Sequence, residues 1–471
     1  MKASKQIFNP YLPSYEYIPD GEPYIFDDRL YIYGSHDRFG GDYYCMNDYV
    51  CWSAPLDDLS DFRYEGVIYK KDQHPYPSGK GVYFAPDVTR GKDGRYYLYY
   101  SVAHSSIMSV AVCDTPAGRY EYLGDVHYPD GRLMGEAAGE YYQFDPAIFI
   151  DDDGRIFLYS GFCPTNKYED EEGRRYVGCH VAELEEDMLT VKAGPKLVID
   201  REDYPSPDNQ YFEAPSMRRI KGRYYLVYSV KVGGLHYCIS DKPDGGFVYG
   251  GRIHSTSDIG INGHYLDNPV YPNGNTHGGI VELDGRYYIF NHRMTNNSSY
   301  CRQGVAEEIF IAEDGHIAQV EATSCGLNDG PLVGEGTYPA YIACALMDFN
   351  EYTDKEEKSK LTPRITQEGE DRECEPGQFI KNIRGNCLVG YKYFKFKACE
   401  SVIFKLRGKA EGNLCLMLTE KGQPVTDVPL RLDSEDWQEV KVPFEVTGDR
   451  CGFYLIWQGE GTFDLLDFTF V

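Results

Sequence analysis

The 471-residue chain is poor in positive charge, in tryptophan and in long apolar runs, and each shortage excludes something. Lys and Arg number 47 against 74 Asp and Glu, for a net charge of −27. Nucleic acid and anionic membrane surfaces require basic patches, so neither is an expected partner, and a neutral ligand fits better. No run of 18 or more apolar residues occurs, so no spanning helix is expected. The start, MKASKQIFNPYLP, lacks the apolar centre of a secretory signal. Fourteen cysteines run from Cys45 to Cys451 without a Cys-x-x-Cys pair or zinc-like spacing. Together these features predict a cytoplasmic protein with reduced, mostly buried thiols. A dinucleotide fingerprint and a phosphate loop are missing too, so no cofactor is expected for the chemistry. Nothing in the sequence specifies an oligomeric state.

Tyrosine, by contrast, is abundant at 43 residues, and much of it falls in a repeated phrase. DRLYIYGS at Asp28, DGRYYLYYS at Asp93, DGRIFLYSG at Asp153, GRYYLVYSV at Gly222 and DGRYYIFNH at Asp284 are near-copies spaced about 60–70 residues apart. Each is a turn feeding a strand of residues that favour strands. The Tyr-rich strands alternate poorly, as expected for strands covered on both faces. A further strand and a Pro/Gly turn follow most copies, as in VAVCDTPAGRYEYLG from Val110 and LHYCISDKPDGGFVYGG from Leu235. Five small antiparallel sheets of this kind close radially into a β-propeller.

The repeats predict an all-β chain with a five-bladed β-propeller over 1–325 and a connector over 326–354. Over 355–471, short, alternating, turn-separated segments such as SVIFKLRG, EVKVPFEV and FDLLDFTFV predict a jelly-roll-like β-sandwich.

Fold does not fix function, so the site residues must carry it. Three carboxylates sit beside proline or aromatic residues where a blade begins: Asp20 in YEYIPDGEPYIF, Asp145 in YYQFDPAIFIDDDG and Glu213 in YFEAPSMRRI. Innermost strands face a propeller's channel, so these acids converge at one mouth. Converging carboxyls among aromatic residues are the apparatus of glycoside hydrolysis, in which an acid protonates the leaving oxygen and a base activates water. Asp151, Asp152 and Asp153 read instead as a solvated hairpin tip.

At these residues the chain resembles glycoside hydrolase family 43, five-bladed propellers that act on arabinose- and xylose-containing polysaccharides. The resemblance spans roughly residues 9 to 325. It implies that Asp20 is the general base, although PDGEP stands where many members read ADP. It also implies that Asp145, in a DPAxFxDDDG phrase, orients the acid and raises its pKa, and that Glu213, in an EAP phrase, is that acid. Inversion of configuration follows, with acid and base about 6.5–9.5 Å apart. His277, in GNTHGGIVE, matches a histidine that helps hold a hydrated ion, usually calcium, in the family's channel, and reads equally as a buried structural histidine. Arg293, in FNHRMT, matches an arginine that binds the sugar in the deepest subsite, or packs its stem on the ring. Phe84, where the family often has Trp, is a pocket wall or a core residue, and Asp87 beside it braces that loop.

The C-terminal region resembles family 6 carbohydrate-binding modules, with Trp437, Trp457 and Tyr393 as sugar platforms or core residues. The expected activity is an exo-acting α-L-arabinofuranosidase and/or β-D-xylosidase, leaning to arabinofuranose, on arabinoxylan- or arabinan-derived oligosaccharides. The alternatives are an endo-arabinanase and a sugar-binding propeller without catalysis. There is no WMNDPNG-like phrase of the fructosidases and no repeated Ser-x-Asp-x-Gly box of the sialidases.

Overall fold

A computed structural model describes residues 7–75, 81–164, 166–204, 208–231 and 233–471. The start of MKASKQIFNPYLP therefore lies partly outside the described residues. Five antiparallel sheets follow one another along the chain. Blade one holds β1 (Glu22–Phe26), β2 (Arg29–Tyr33), β3 (Tyr49–Pro55) and β4 (Arg63–Tyr69). Blade two holds β5 (Tyr83–Arg90), β6 (Tyr96–Val102), β7 (Met108–Cys113) and β8 (Glu121–Asp125). Blade three holds β9 (Ala147–Ile150), β10 (Ile156–Ser160), β11 (Gly178–Leu184) and β12 (Val191–Asp200). Blade four holds β13 (Tyr211–Ile220), β14 (Arg223–Val230), β15 (Gly234–Ser240) and β16 (Val248–His254). Blade five has three strands, β17 (Ile280–Leu283), β18 (Arg286–Thr295) and β19 (Ser298–Ile309).

The Tyr-rich phrase forms the second strand of every blade, and its alternation explains how the ring closes. Successive side chains of a strand point to opposite faces. On β6, Tyr96, Leu98 and Tyr100 pack against blade one, while Tyr97 and Tyr99 pack against blade three. The same division recurs around the ring, giving five separate apolar cores, one between each pair of neighbouring blades. The last joins Tyr288 and Phe290 of blade five to Leu30 and Ile32 of blade one. Both faces being covered is why the pattern reads apolar throughout.

A side-chain latch accompanies this closure. The Asn9 amide donates to Ala306 O (3.0 Å) and accepts from Ala306 N (2.9 Å), pairing like a strand peptide with the outer strand of blade five.

After blade five, β20 (Leu332–Val333), β21 (Gly336–Pro339) and β22 (Ala345–Asp348) pair with the C-terminal sheet. The stretch 326–354 is thus woven into that sheet and is more than a connector. Its short apolar segments lack a partner inside the propeller and find one there. KEEKSKL forms a helix, α1 (Lys355–Leu361), capped by Asp354 accepting from Glu357 N (2.8 Å). The sheet continues with β23 (Arg364–Gln367), β24 (Gln378–Arg384), β25 (Cys387–Met417) and β26 (Thr426–Phe470), the last two long enough to curl round one core.

Trp457 is fully buried in that core. Tyr393 is half-buried, donates to Glu321 (2.5 Å) and lies under Arg450, and Trp437 lies under Arg407. Asp151 also departs from the solvated tip read for it. It is buried and accepts from Tyr224 OH (2.7 Å), whereas Asp152 and Asp153 are exposed. No helix among the described residues is long and apolar enough to cross a membrane.

Candidate active site

The first strands β1, β5, β9, β13 and β17 line the axis, and the backbone kinks where each site residue is presented. Asp20 (φ 58°) and Asp145 (φ 47°) hold left-handed conformations just ahead of β1 and β9. Glu213 precedes Ala214 (φ 64°) and Pro215, and a bulge falls between Glu213 and Ser216. Phe84, ahead of Ala85 (φ 30°) and Pro86, sits at the matching bulge in blade two. Non-glycine residues rarely adopt positive φ, and such strain clusters where side chains are aimed for function. Bulges turn side chains out of the pleat, and proline removes a ladder donor.

These kinks bring Asp20, Asp145, Glu213 and His277 together at one end of the channel. Arg302 Nη1 lies 3.2 Å from Asp20 Oδ1, and Asp37 fixes that guanidinium with bonds of 2.8 and 2.9 Å. His292 Nδ1 accepts the Asp20 amide proton (3.1 Å), and burial pushes its ring down to about 3, so it stays neutral. Burial, the largest effect, would raise the Asp20 pKa, but Arg302, His292, His277 and a hydrogen bond from Ser35 together outweigh it and hold the carboxyl below its ordinary value. Glu213 is pushed up to about 8, by burial first and then by the charge of Asp20, with Arg302 opposing. Asp145, which accepts from Ala214 N, is held well above its ordinary value by burial and then by Glu213.

The sequence assigns the repulsion on Glu213 to Asp145. In the structure Asp145 and Glu213 do repel each other, and the charge of Asp20 adds to the rise on both.

Further into the channel, His277 lies 3.8 Å from Asp145 Oδ2 and 3.7 Å from Glu22 Oε1. His277 Nε2 and Glu22 Oε1 are buried without hydrogen-bond partners. Two such donors fit a hydrated calcium ion, with water completing its six to eight ligands. Among the described residues, no group of three or more His, Cys, Asp or Glu side chains forms a metal cage.

At the far end, Arg218 ion-pairs with Glu22 (2.6 Å), donates to Tyr24 OH (3.2 Å) and reaches Ile280 O (3.0 Å). Asp87 accepts from Tyr24 OH (2.7 Å) and Ile148 N (2.7 Å), tying three inner strands.

Half-buried aromatic rings wall the mouth. Phe84 meets Phe144 (centroids 5.6 Å apart), and Phe144 and Phe212 both meet Phe162. Beside Phe84, Tyr44 packs edge-on to Tyr300 (4.6 Å) and lies under Arg302. Phe84 is half-buried and, with Tyr44, packs on a small cluster of Cys45, Val82 and Ala103. Arg293 does not line the mouth: it donates to Ala343 O (2.7 Å) and Tyr341 O (2.6 Å), away from the channel. Its neighbour His292 takes the inward place, because adjacent strand residues face opposite ways. A cavity of about 600 Å³ between blade five and the C-terminal sheet, lined by Tyr271, Met294 and Phe349 among others, includes none of the channel carboxyls.

Sequence reasoning missed Arg302, Asp37 and His292. A lone arginine in the strand CRQGVAEEIF was the available signal, since arginine inside a buried strand requires a partner.

The comparisons with known proteins agree with this geometry. The signature of Glycosyl hydrolases family 43 matches residues 18–317. A xylosidase/arabinosidase of Thermoclostridium stercorarium is 46% identical over 99% of both chains. An arabinoxylan arabinofuranohydrolase of Bacillus subtilis shares the fold over 99% of both chains, with a TM-score of 0.51 at 18% identity. The GH43_1 enzyme of Xanthomonas citri, crystallised also with xylose and with xylotriose, matches 68% of this chain and 95% of its own (TM-score 0.54, 25% identity). With paired carboxyls at an aromatic-walled propeller mouth and a relative matched from end to end, the chain is a glycoside hydrolase and belongs to the glycosyl hydrolases of family 43.

Proposed function

We propose that the enzyme removes terminal pentoses, α-L-arabinofuranose or β-D-xylose, from arabinoxylan- or arabinan-derived oligosaccharides, with inversion of configuration. The observation that carries this is the opposed state of two carboxyls at one mouth: Asp20 held ionised by Arg302, and Glu213 pushed up to about 8. Glu213 donates its proton to the glycosidic oxygen as the bond to the anomeric carbon breaks. Asp20 takes a proton from water as that water attacks the opposite face. Asp145 accepts from Ala214 N and so fixes the segment that presents Glu213. A calcium ion, when bound by His277 and Glu22, would supply positive charge below the carboxyls. Phe84 and Tyr44 offer apolar faces to a sugar ring.

The names of the relatives support the substrate class. Fourteen free thiols, most of them buried, support a cytoplasmic location. The test is chromatographic product analysis on arabinoxylo-oligosaccharides, xylobiose and arabino-oligosaccharides, with the anomer of the first product read by NMR. Free arabinose or xylose of inverted configuration is expected. Internal cleavage products, or no release from any substrate, would sink the reading.

A further inference from the structure

A segment of the C-terminal region, 367–378, reaches across to the mouth. Asp371 Oδ1 accepts from Phe39 N (2.7 Å) and Oδ2 from Asn47 Nδ2 (2.9 Å). Arg372, itself left-handed (φ 59°), ion-pairs with Glu16 (2.5 Å), meets His36 Nε2 (2.8 Å) and lies over Tyr64. Tyr17 OH donates to Gln367 Oε1 (2.5 Å). These bonds grip the two pieces of blade one that shape the mouth. Glu16 and Tyr17 stand just ahead of Asp20. Residues 36–47 form the loop between β2 and β3 that carries Asp37 and Tyr44, and Asn47 donates onward to Asp37 O (2.8 Å). Asp37 in turn holds the Arg302 fork against Asp20.

We propose that Asp371 and Arg372 are positioning residues for the reaction: the C-terminal region completes the active site by fixing the blade-one loop through which Asp37 aims Arg302 at Asp20. This rests on the reading of Asp20 as the base. A surface contact between two domains has no need to converge on one loop from a carboxylate and a guanidinium of adjacent residues. Here both side chains of the pair, and Gln367 before them, land within reach of the same mouth. The defect from losing them belongs on the water-activating side of the chemistry. An activated leaving group, which relieves the need for an acid, therefore cannot rescue it.

The experiment uses the full-length chain, with kcat and KM measured on xylobiose and on 4-nitrophenyl xyloside and arabinofuranoside. Asp371→Ala and Arg372→Ala are expected to lower kcat roughly tenfold to a hundredfold on all three, with KM nearly constant, the scale of an ångström-sized misplacement. Asp371→Asn, which keeps one of the two acceptor oxygens, and Arg372→Lys, which loses the fork, are expected to recover only part of the loss, leaving kcat roughly threefold to tenfold below wild type. Glu420→Ala breaks a domain contact to His264 (2.8 Å) that does not touch the loop, and serves as the reference. It should lower the melting temperature without lowering kcat. If the alanine variants lose thermal stability but keep wild-type kcat, the contact is merely structural and the proposal fails. If they do not fold, the conservative pair decides, and wild-type kcat in both overturns it. Turnover that survives Asp20→Asn would instead overturn the assignment of the base.

Discussion

The two ends of the central channel are built from the same five strands yet treat charge in opposite ways. At the far end the charges are tied into the ring: Arg218 meets Glu22 and Tyr24, and Asp87, pushed up to about 7 by burial and then by Glu22, accepts from Tyr24 OH and Ile148 N. At the mouth, three carboxyls share one guanidinium that is already forked onto Asp37. Buried charges that are paired and hydrogen-bonded hold a structure in register. Buried carboxyls left short of partners shift their pKa values instead, which acid–base chemistry requires. The far end fastens the ring, and the mouth sets an ionised carboxyl, Asp20, beside a raised one, Glu213.

The largest test of that contrast is at the mouth. Glu213→Gln and Asp20→Asn should each lower turnover of xylobiose or arabino-oligosaccharides by about 10²–10⁴-fold, the usual contribution of a positioned acid or base. Aryl glycosides with good leaving groups should restore Glu213→Gln but not Asp20→Asn, and restoration of both would erase the division of roles. At the far end, Arg218→Ala should cost about 3–5 kcal/mol of stability by leaving Glu22 unpaired. Chemical denaturation measures this, and turnover per folded molecule should change far less than in Glu213→Gln. A large kinetic loss with unchanged stability would reverse the comparison.

A smaller effect is expected from pH. Glu213 works protonated and its pKa is about 8, so kcat/KM should fall as pH rises through about 8. Asp20 works ionised and is held below its ordinary value, so the acid limb should appear only beneath the usual carboxylate range. An alkaline limb near the ordinary glutamate value would remove the argument for Glu213. The smallest change should come from Phe84→Ala, which loses an aromatic face. About 0.5–1.5 kcal/mol of ring contact corresponds to a rise in KM of roughly two- to tenfold, with kcat little altered. An unchanged KM would show that the ring wall does not touch the sugar.

The repeat, the covered central strands and the three carboxyls were legible because each is written locally, as a turn feeding a Tyr-rich strand or an acid beside proline. Arg302 and Asp37 were not, since they meet only when blade five returns to blade one, 265 positions apart in sequence. Arg293 was misread by a single residue. On β18 that places a side chain on the opposite face, so His292 meets Asp20 while Arg293 braces Ala343 and Tyr341. The C-terminal aromatic residues illustrate a third limit, because composition does not separate a sugar platform from a core residue such as Trp457.

The Asn9 latch carries a consequence for how the chain reaches this state. It joins residues 297 positions apart, so it adds nothing until the last blade exists. Contacts of such sequence separation form slowly, because the intervening chain must be ordered before they return anything. During synthesis the first blade therefore waits with Leu30 and Ile32 uncovered until blade five arrives. The interval before ring closure is when this protein is most open to misassembly with its own copies.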